Sequence, residues 1–354
     1  MKSIANLAGR AKGVVAAMLL VIAFYPVASW ADRERQIELV SQGPYSLAEN
    51  PVWNENTRCL LFADIHRATI HEYCPETGKT YPVLTGLMPF GLTINDDGAL
   101  IVGTEKGLYY VASATDIRPL ATNDPVTGGP IWVNEQVAVN GGIYFGGVNF
   151  DGVNFGPGNL YWIGPDGSVK RVATDRRLPN GLGVSPDQTK LYFAASVDRK
   201  IYRFDINPAT GELSNEITFA ELPCRSCDAK PPAREEDQCS CRVGIYDGLT
   251  VNAAGDVLVA VWYDGVILRY RAKGKVGKLV ETIEVPDLQV SNLTFGGKRY
   301  RDLYITTAST AFINPIMPCD FDPALPMNGN VYRLRMPVPG LPESTSRISA
   351  PRIR

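Results

Sequence analysis

The sequence predicts an all-β protein, a six-bladed β-propeller, and three observations carry that reading. Six segments repeat one plan: a turn, a short alternating strand, a polar turn, a more apolar strand and a third strand. Thirty-three glycines and 26 prolines in 354 residues punctuate the chain too often for a helical bundle. No 3.6-residue apolar stripe of useful length follows the N-terminal segment. Strand repeats with a period of about 45 residues indicate radial repetition, which protects sheet edges. A β-sandwich would require that periodicity to be coincidental.

Residues 1–31 read as a secretory signal peptide. Lys2, Arg10 and Lys12 precede an apolar run, Val14 to Phe24, and Ser29-Trp30-Ala31 offers a small-x-small cleavage site before Asp32. The run is too short to span a bilayer comfortably, and no later stretch approaches 18 uninterrupted apolar residues. An uncleaved anchor is the alternative; the expectation is a periplasmic or secreted product with no stable membrane anchor.

Residues 32–336 carry the repeats. They open at Glu49-Asn50-Pro51-Val52-Trp53, Phe90-Gly91-Leu92, Asn134-Glu135-Gln136-Val137, Asn180-Gly181-Leu182, Asp247-Gly248-Leu249 and Ser291-Asn292-Leu293. Second strands are expected at Cys59–Asp64, Leu100–Thr104, Ile143–Gly147, Leu191–Ala195, Val257–Trp262 and Leu303–Thr307. Turns such as Asn95-Asp96-Asp97-Gly98 supply hairpin chemistry. Asp32–Leu47 is expected to complete the last blade, and residues 337–354, rich in Pro, Ser and Arg, read as a loose tail.

An exported chain favours disulfides. Cys59 and Cys74 flank a hairpin with its turn near His66-Arg67, so they are placed to sit opposite each other. Cys224, Cys227, Cys239 and Cys241 form a CxxC…CxC cluster, read as two loop-stapling disulfides in preference to a zinc knuckle. Cys319 is left over. The formal charge of −2 and pI of about 5.9 leave no basic face for nucleic acid.

In a propeller the first residue of each innermost strand points towards a common axis. That column reads Glu49, Phe90, Asn134, Asn180, Asp247 and Ser291. Two carboxylates and two carboxamides converging there would need something positive between them. All-oxygen ligation favours a single divalent ion, calcium, magnesium or manganese, over zinc or copper. Plain turn chemistry explains Asn180-Gly181 or Asp247-Gly248 taken singly, but not the four in register.

These motifs, together with Leu60-Leu61-Phe62-Ala63-Asp64, Tyr246-Asp247-Gly248-Leu249 and Phe295-Gly296-Gly297, resemble the SMP-30/gluconolactonase/luciferin-regenerating-enzyme family over about Ser46 to Leu334. The resemblance implies a propeller with one axial divalent metal, many members hydrolysing lactones. Glu49, Asn180 and Asp247 match its metal ligands, and Asn134 matches a substrate-side asparagine that also reaches the metal. Sugar lactonases of the family carry an arginine where this chain has Trp132, so a less polar or aromatic substrate is implied. Asp151, in the loop Val148–Gly156, is the acid nearest the family's acidic substrate contact, and that loop is expected to form a lid over the channel mouth, a plain surface loop being the alternative.

No G-x-S-x-G elbow, Cys–His pair, H-E-x-x-H or nucleotide loop occurs in the sequence. What remains is metal-assisted hydrolysis of a lactone, a small-molecule substrate. Asp247 is the expected general base or nucleophile, and Trp132, Phe90 and Tyr246 shape the pocket. A phosphotriester or aryl-ester hydrolase is the alternative, as is a binding propeller with a structural ion; a strictosidine-synthase-like condensing propeller fits the ligand column less well. Oligomeric state is not legible.

Overall fold

The computed structural model describes residues 36–222, 244–272, 274–310 and 324–352. The expected signal peptide, the cysteine cluster from Cys224 to Cys241, and Cys319 lie outside those residues.

Six four-stranded antiparallel sheets form the blades, five of them with their strands in chain order from the centre outwards and the sixth completed by the first strand of the chain. The innermost strands are Ala48–Asn54, Gly91–Ile94, Trp132–Val139, Pro179–Val184, Ile245–Val251 and Val290–Gly296, in blades 1 to 6. Each touches the innermost strand of the blade before and after it, and the last meets the first, so the ring is closed.

The second strands make the core. Cys59–Asp64 and Val257–Trp262 are buried at every position, because each is sandwiched between neighbouring blades. Alternate residues of one strand therefore serve two interfaces. Val257, Val259 and Val261 pack with Tyr192, Ala194 and Ile201 of blade 4, while Leu258 and Ala260 pack with Leu293 and Phe295 of blade 6. Burial of each such aliphatic side chain stabilises the ring by about 1.5–3 kcal/mol.

The chain closes the circle with its N-terminal strand, Ile37–Ser41, which pairs with Val331–Arg335 as the outer edge of blade 6, Ile37 opposite Leu334. This is the completion expected of Asp32–Leu47. Cys59 and Cys74 are joined across the second and third strands of blade 1, with Cα atoms 4.4 Å apart.

Residues 337–352 differ from the expected loose tail. They cross the end of the channel remote from the strand-opening residues, because the blades leave unpaired backbone groups there. Ser346 bridges blades 2 and 3 at Asn95 and Gly141, its N–H donating to Ile94 O at 3.1 Å. Asn95 Oδ1 accepts from Ser346 Oγ at 2.7 Å and from the Ile348 N–H at 2.9 Å, and Ser346 and Ile348 are buried.

Candidate active site

Five of the six innermost strands break register where they begin, between Glu49 and Val52, Val133 and Gln136, Pro179 and Leu182, Tyr246 and Leu249, and Val290 and Asn292. A bulge inserts an unpaired residue and re-aims its side chain. In blades 1, 3, 4 and 5 the bulged stretch holds or abuts a residue of the expected ligand column: Glu49, Asn134, Asn180 and Asp247. Blade 2, whose column residue is Phe90, runs in unbroken register.

The bulges also bring the strands close together. A Cβ on Gly181 would fall 2.4 Å from the Asp247 carbonyl oxygen, and one on Gly248 would fall 2.0 Å from Asn292 Cγ. Glycine at both positions is therefore a packing requirement as well as a turn signal.

Hydrogen bonds tie the column residues into two groups, Asn134, Asn180 and Asp247 in one and Glu49 with its supports in the other. Asn134 Nδ2 donates to Asn180 Oδ1 at 3.3 Å and to Pro179 O at 2.9 Å. Asn180 in turn hydrogen-bonds the Asp247 carboxylate. Glu49 Oε2 accepts from the Asn50 N–H at 2.9 Å and from Asn292 Nδ2 at 3.0 Å. Both donors reach the same oxygen, which leaves Glu49 Oε1 for another partner.

The electrostatics of this cluster are unfavourable without a cation. Burial pushes the Glu49 carboxyl up to about 7. Asp247 lies well above the usual carboxylate range, through burial first and then the charges of Glu49 and Glu135. Glu135 is raised in the same way by burial and by Glu49. Asp247 Oδ1 is buried with no hydrogen-bond partner. An orphaned carboxylate oxygen beside a second acid and two carboxamides fits a hard divalent ion, and the absence of His and Cys from the set fits the same choice.

One flank of the site is aromatic. Phe90, Trp132, Phe150 and Phe155 form a row, with ring centroids 5.5, 6.2 and 4.8 Å apart in succession. The expected lid is a long hairpin whose strands, Gly142–Phe150 and Phe155–Ile163, supply two of those rings. Asp151 sits exposed at its tip, where Oδ1 accepts the Val153 and Asn154 N–H groups at 2.8 and 2.6 Å. Its carboxylate is engaged by its own turn. Tyr246 does not shape the pocket. It is fully buried between blades 4 and 5, its hydroxyl 2.7 Å from that of Tyr270, because alternation turns it away from the side Asp247 faces.

Three site residues escaped the sequence reading. Glu135 follows Asn134 and is buried, accepting from Asn50 Nδ2 and, at 2.9 Å, from Asn292 Nδ2. Asn292, rather than Ser291, is blade 6's contribution; Ser291 Oγ bonds Ala48 O and Thr306 instead. The available signal was the extra residue in the third repeat start, which marks a bulge. Asn50, Glu135 and Asn292 line a channel cavity of about 760 Å³ that Leu341–Thr345 and Arg347 line at its other end.

Comparison with known proteins agrees with this fold. Residues 47–309 match the family described as SMP-30/Gluconolactonase/LRE-like region, and the chain belongs to that family. It is 31% identical over 264 residues to the pentonolactonase XacC of Haloferax volcanii, covering 74% of this chain and 81% of that protein. Regucalcin of Xenopus laevis is 25% identical over 309 residues, covering 84% and 94% of the two chains. Among solved structures, a luciferin-regenerating enzyme superposes with a TM-score of 0.74 at 24% identity, over 89% of this chain and all of that one. A gluconolactonase from Xanthomonas campestris gives 0.64 at 19%, over 86% and 91%. These two structural likenesses bear on the fold alone.

Proposed function

We propose that this chain hydrolyses a lactone, with Glu49, Asn134, Asn180 and Asp247 as the ligands of one divalent cation and Asp247 as general base. The observation that carries the reading is the unpartnered, buried Asp247 Oδ1 within a cluster of converging acids. The family, and the lactonase name borne by the Haloferax volcanii relative, support the same reaction class. Oxygen-only ligands favour calcium, magnesium or manganese, with zinc less suited.

When bound, the cation would polarise the ester carbonyl and offset charge developing on its oxygen, a contribution of several kcal/mol. Asp247 takes a proton from the water that adds to the carbonyl carbon. The ring C–O bond then breaks, and the departing oxygen takes the proton that Asp247 removed from the water, leaving a hydroxy acid. Asn180 orients Asp247 through its hydrogen bond, and Asn134 orients Asn180. Trp132 and Phe90 present an apolar wall where an arginine would grip sugar hydroxyls, so an aromatic or apolar lactone is the favoured substrate.

The Cys59–Cys74 disulfide supports work in an oxidising compartment, periplasmic or extracellular. The test is a panel of an aromatic lactone, an aliphatic lactone, a sugar lactone and an aryl phosphotriester, assayed with added cation. Faster turnover of the aromatic or aliphatic lactone than of the sugar lactone is expected. Preference for the phosphotriester, or cation binding without turnover of any of the four, would overturn the reading.

A further inference from the structure

Asn292 lies one place after the column residue of blade 6, yet its side chain reaches two buried carboxylates from two other blades. Nδ2 donates to Glu49 Oε2 at 3.0 Å and to Glu135 Oε2 at 2.9 Å. A carboxamide nitrogen carries two protons, so it serves both acids at once. Oδ1 accepts the Leu293 N–H at 2.7 Å, which fixes the orientation of the amide. Turned over, it would set an oxygen against two carboxylates.

Asn50 completes the arrangement from the other side. Its backbone N–H donates to Glu49 Oε2 and its Nδ2 to Glu135 Oε1, while its own oxygen accepts the Leu92 N–H at 2.5 Å. Glu49, Asn50, Glu135 and Asn292 thus form a closed cycle of hydrogen bonds drawn from blades 1, 3 and 6. The Asn292 amide also lies against the Gly248 backbone, one residue from Asp247, in space that any other residue at 248 would fill.

We infer that Asn292 is the positioning residue of the centre. By saturating Glu49 Oε2 from below, it pins the carboxylate plane and presents Oε1 to the cation, while its second proton keeps Glu135 engaged away from the ligand oxygens. Glu135 is in this arrangement a counter-anchor and not a ligand. The inference rests on the reading that Glu49 holds a cation. Outer partners of this kind change metal affinity by about 10- to 100-fold.

The test is calorimetric titration of calcium or manganese alone into chelator-stripped protein, paired with the thermal midpoint of the cation-free form. Asn292→Leu keeps the branched four-atom side chain and removes both donors; Asn292→Ser keeps one small donor. Cation affinity is expected to fall about 10- to 100-fold in the leucine variant and by less in the serine variant. A side chain that only packs would lower the cation-free midpoint and leave affinity intact, and that result overturns the inference. If the leucine variant fails to fold, wild-type affinity in Asn292→Ser overturns it equally. A wild-type protein that binds no cation brings down the ligand reading itself, an outcome distinct from equal affinity in wild type and variant.

Discussion

The side-chain nitrogen of Asn134 lies 3.3 Å from Oδ1 of Asn180, 46 residues later in the chain. The two are brought together because each sits in a bulge at the start of a neighbouring innermost strand. Asn180 passes the interaction on to Asp247 in the next blade. Local departures from ideal strand pairing thus create the site, while the regular strands behind them hold it rigid.

Asp247→Asn should reduce kcat by at least about 100-fold, the range a lost general base commands. Its cation-free thermal midpoint should hold or rise, since the change removes a buried charge that Glu49 and Glu135 repel. Steady-state kinetics with a melting curve checks both halves. Full activity would remove Asp247 from the chemistry.

Trp132→Arg should redirect specificity. A guanidinium offers a planar fork of donors to hydroxyl-rich rings and breaks the contact with Phe90. About a tenfold fall in kcat/KM on an aromatic lactone is expected, with a gain on a sugar lactone; one missing apolar contact is worth a factor of this order. Unchanged ratios would place the aromatic row outside substrate contact.

Glu343 should give the fold a pH dependence unrelated to the candidate ligands. It accepts from Thr294 Oγ1 at 2.5 Å and from the Trp53 N–H, and the charge of Glu55 bears on it. Burial pushes its carboxyl from 4.5 up to about 7. The folded state therefore holds its proton more tightly than the unfolded state. The stabilisation is full below about pH 4.5 and is lost as pH rises through about 7. Glu343→Gln should flatten the melting temperature across that window; an unchanged slope would assign it to other groups.

Cys59→Ser should lower the melting temperature by several degrees. A cross-link closing about 15 residues is worth about 3 kcal/mol in the chain-entropy account. A reductant should lower the wild-type midpoint by about this much more than it lowers the variant's, in which the Cys224–Cys241 cluster is all that is left to reduce.

Much of this architecture was readable in the sequence because the second strands are buried on both faces and so appear as unbroken apolar runs. Cys59–Asp64 and Val257–Trp262 coincide end to end with their expected bounds. The outer strands, such as Lys79–Thr85, alternate weakly and stand largely in solvent, so composition alone does not separate them from turns. The tail was misread for a related reason. Its Pro- and Ser-rich composition does not reveal that Ile94, Asn95 and Gly141 offer backbone partners at the end of the ring.

Glu49, Asn134, Asn180 and Asp247 stand out as a column in the sequence because each opens a repeat. Glu135 and Asn292 were hidden by the bulges that make them useful. An inserted residue lets consecutive side chains serve the same centre, as Asn134 and Glu135 do, and strict alternation forbids that. Tyr246, expected at the pocket, precedes Asp247 in one strand, where neighbouring side chains point to opposite faces.

The most direct measurement is metal content and calorimetric binding on one preparation of the protein, in the wild type and in the double variant Glu49→Gln, Asp247→Asn. The account expects one divalent ion per wild-type chain, removable by chelation with a fall in melting temperature, and no binding in the double variant. Undiminished ion binding in the double variant, or a chelated wild type that melts unchanged, would contradict it.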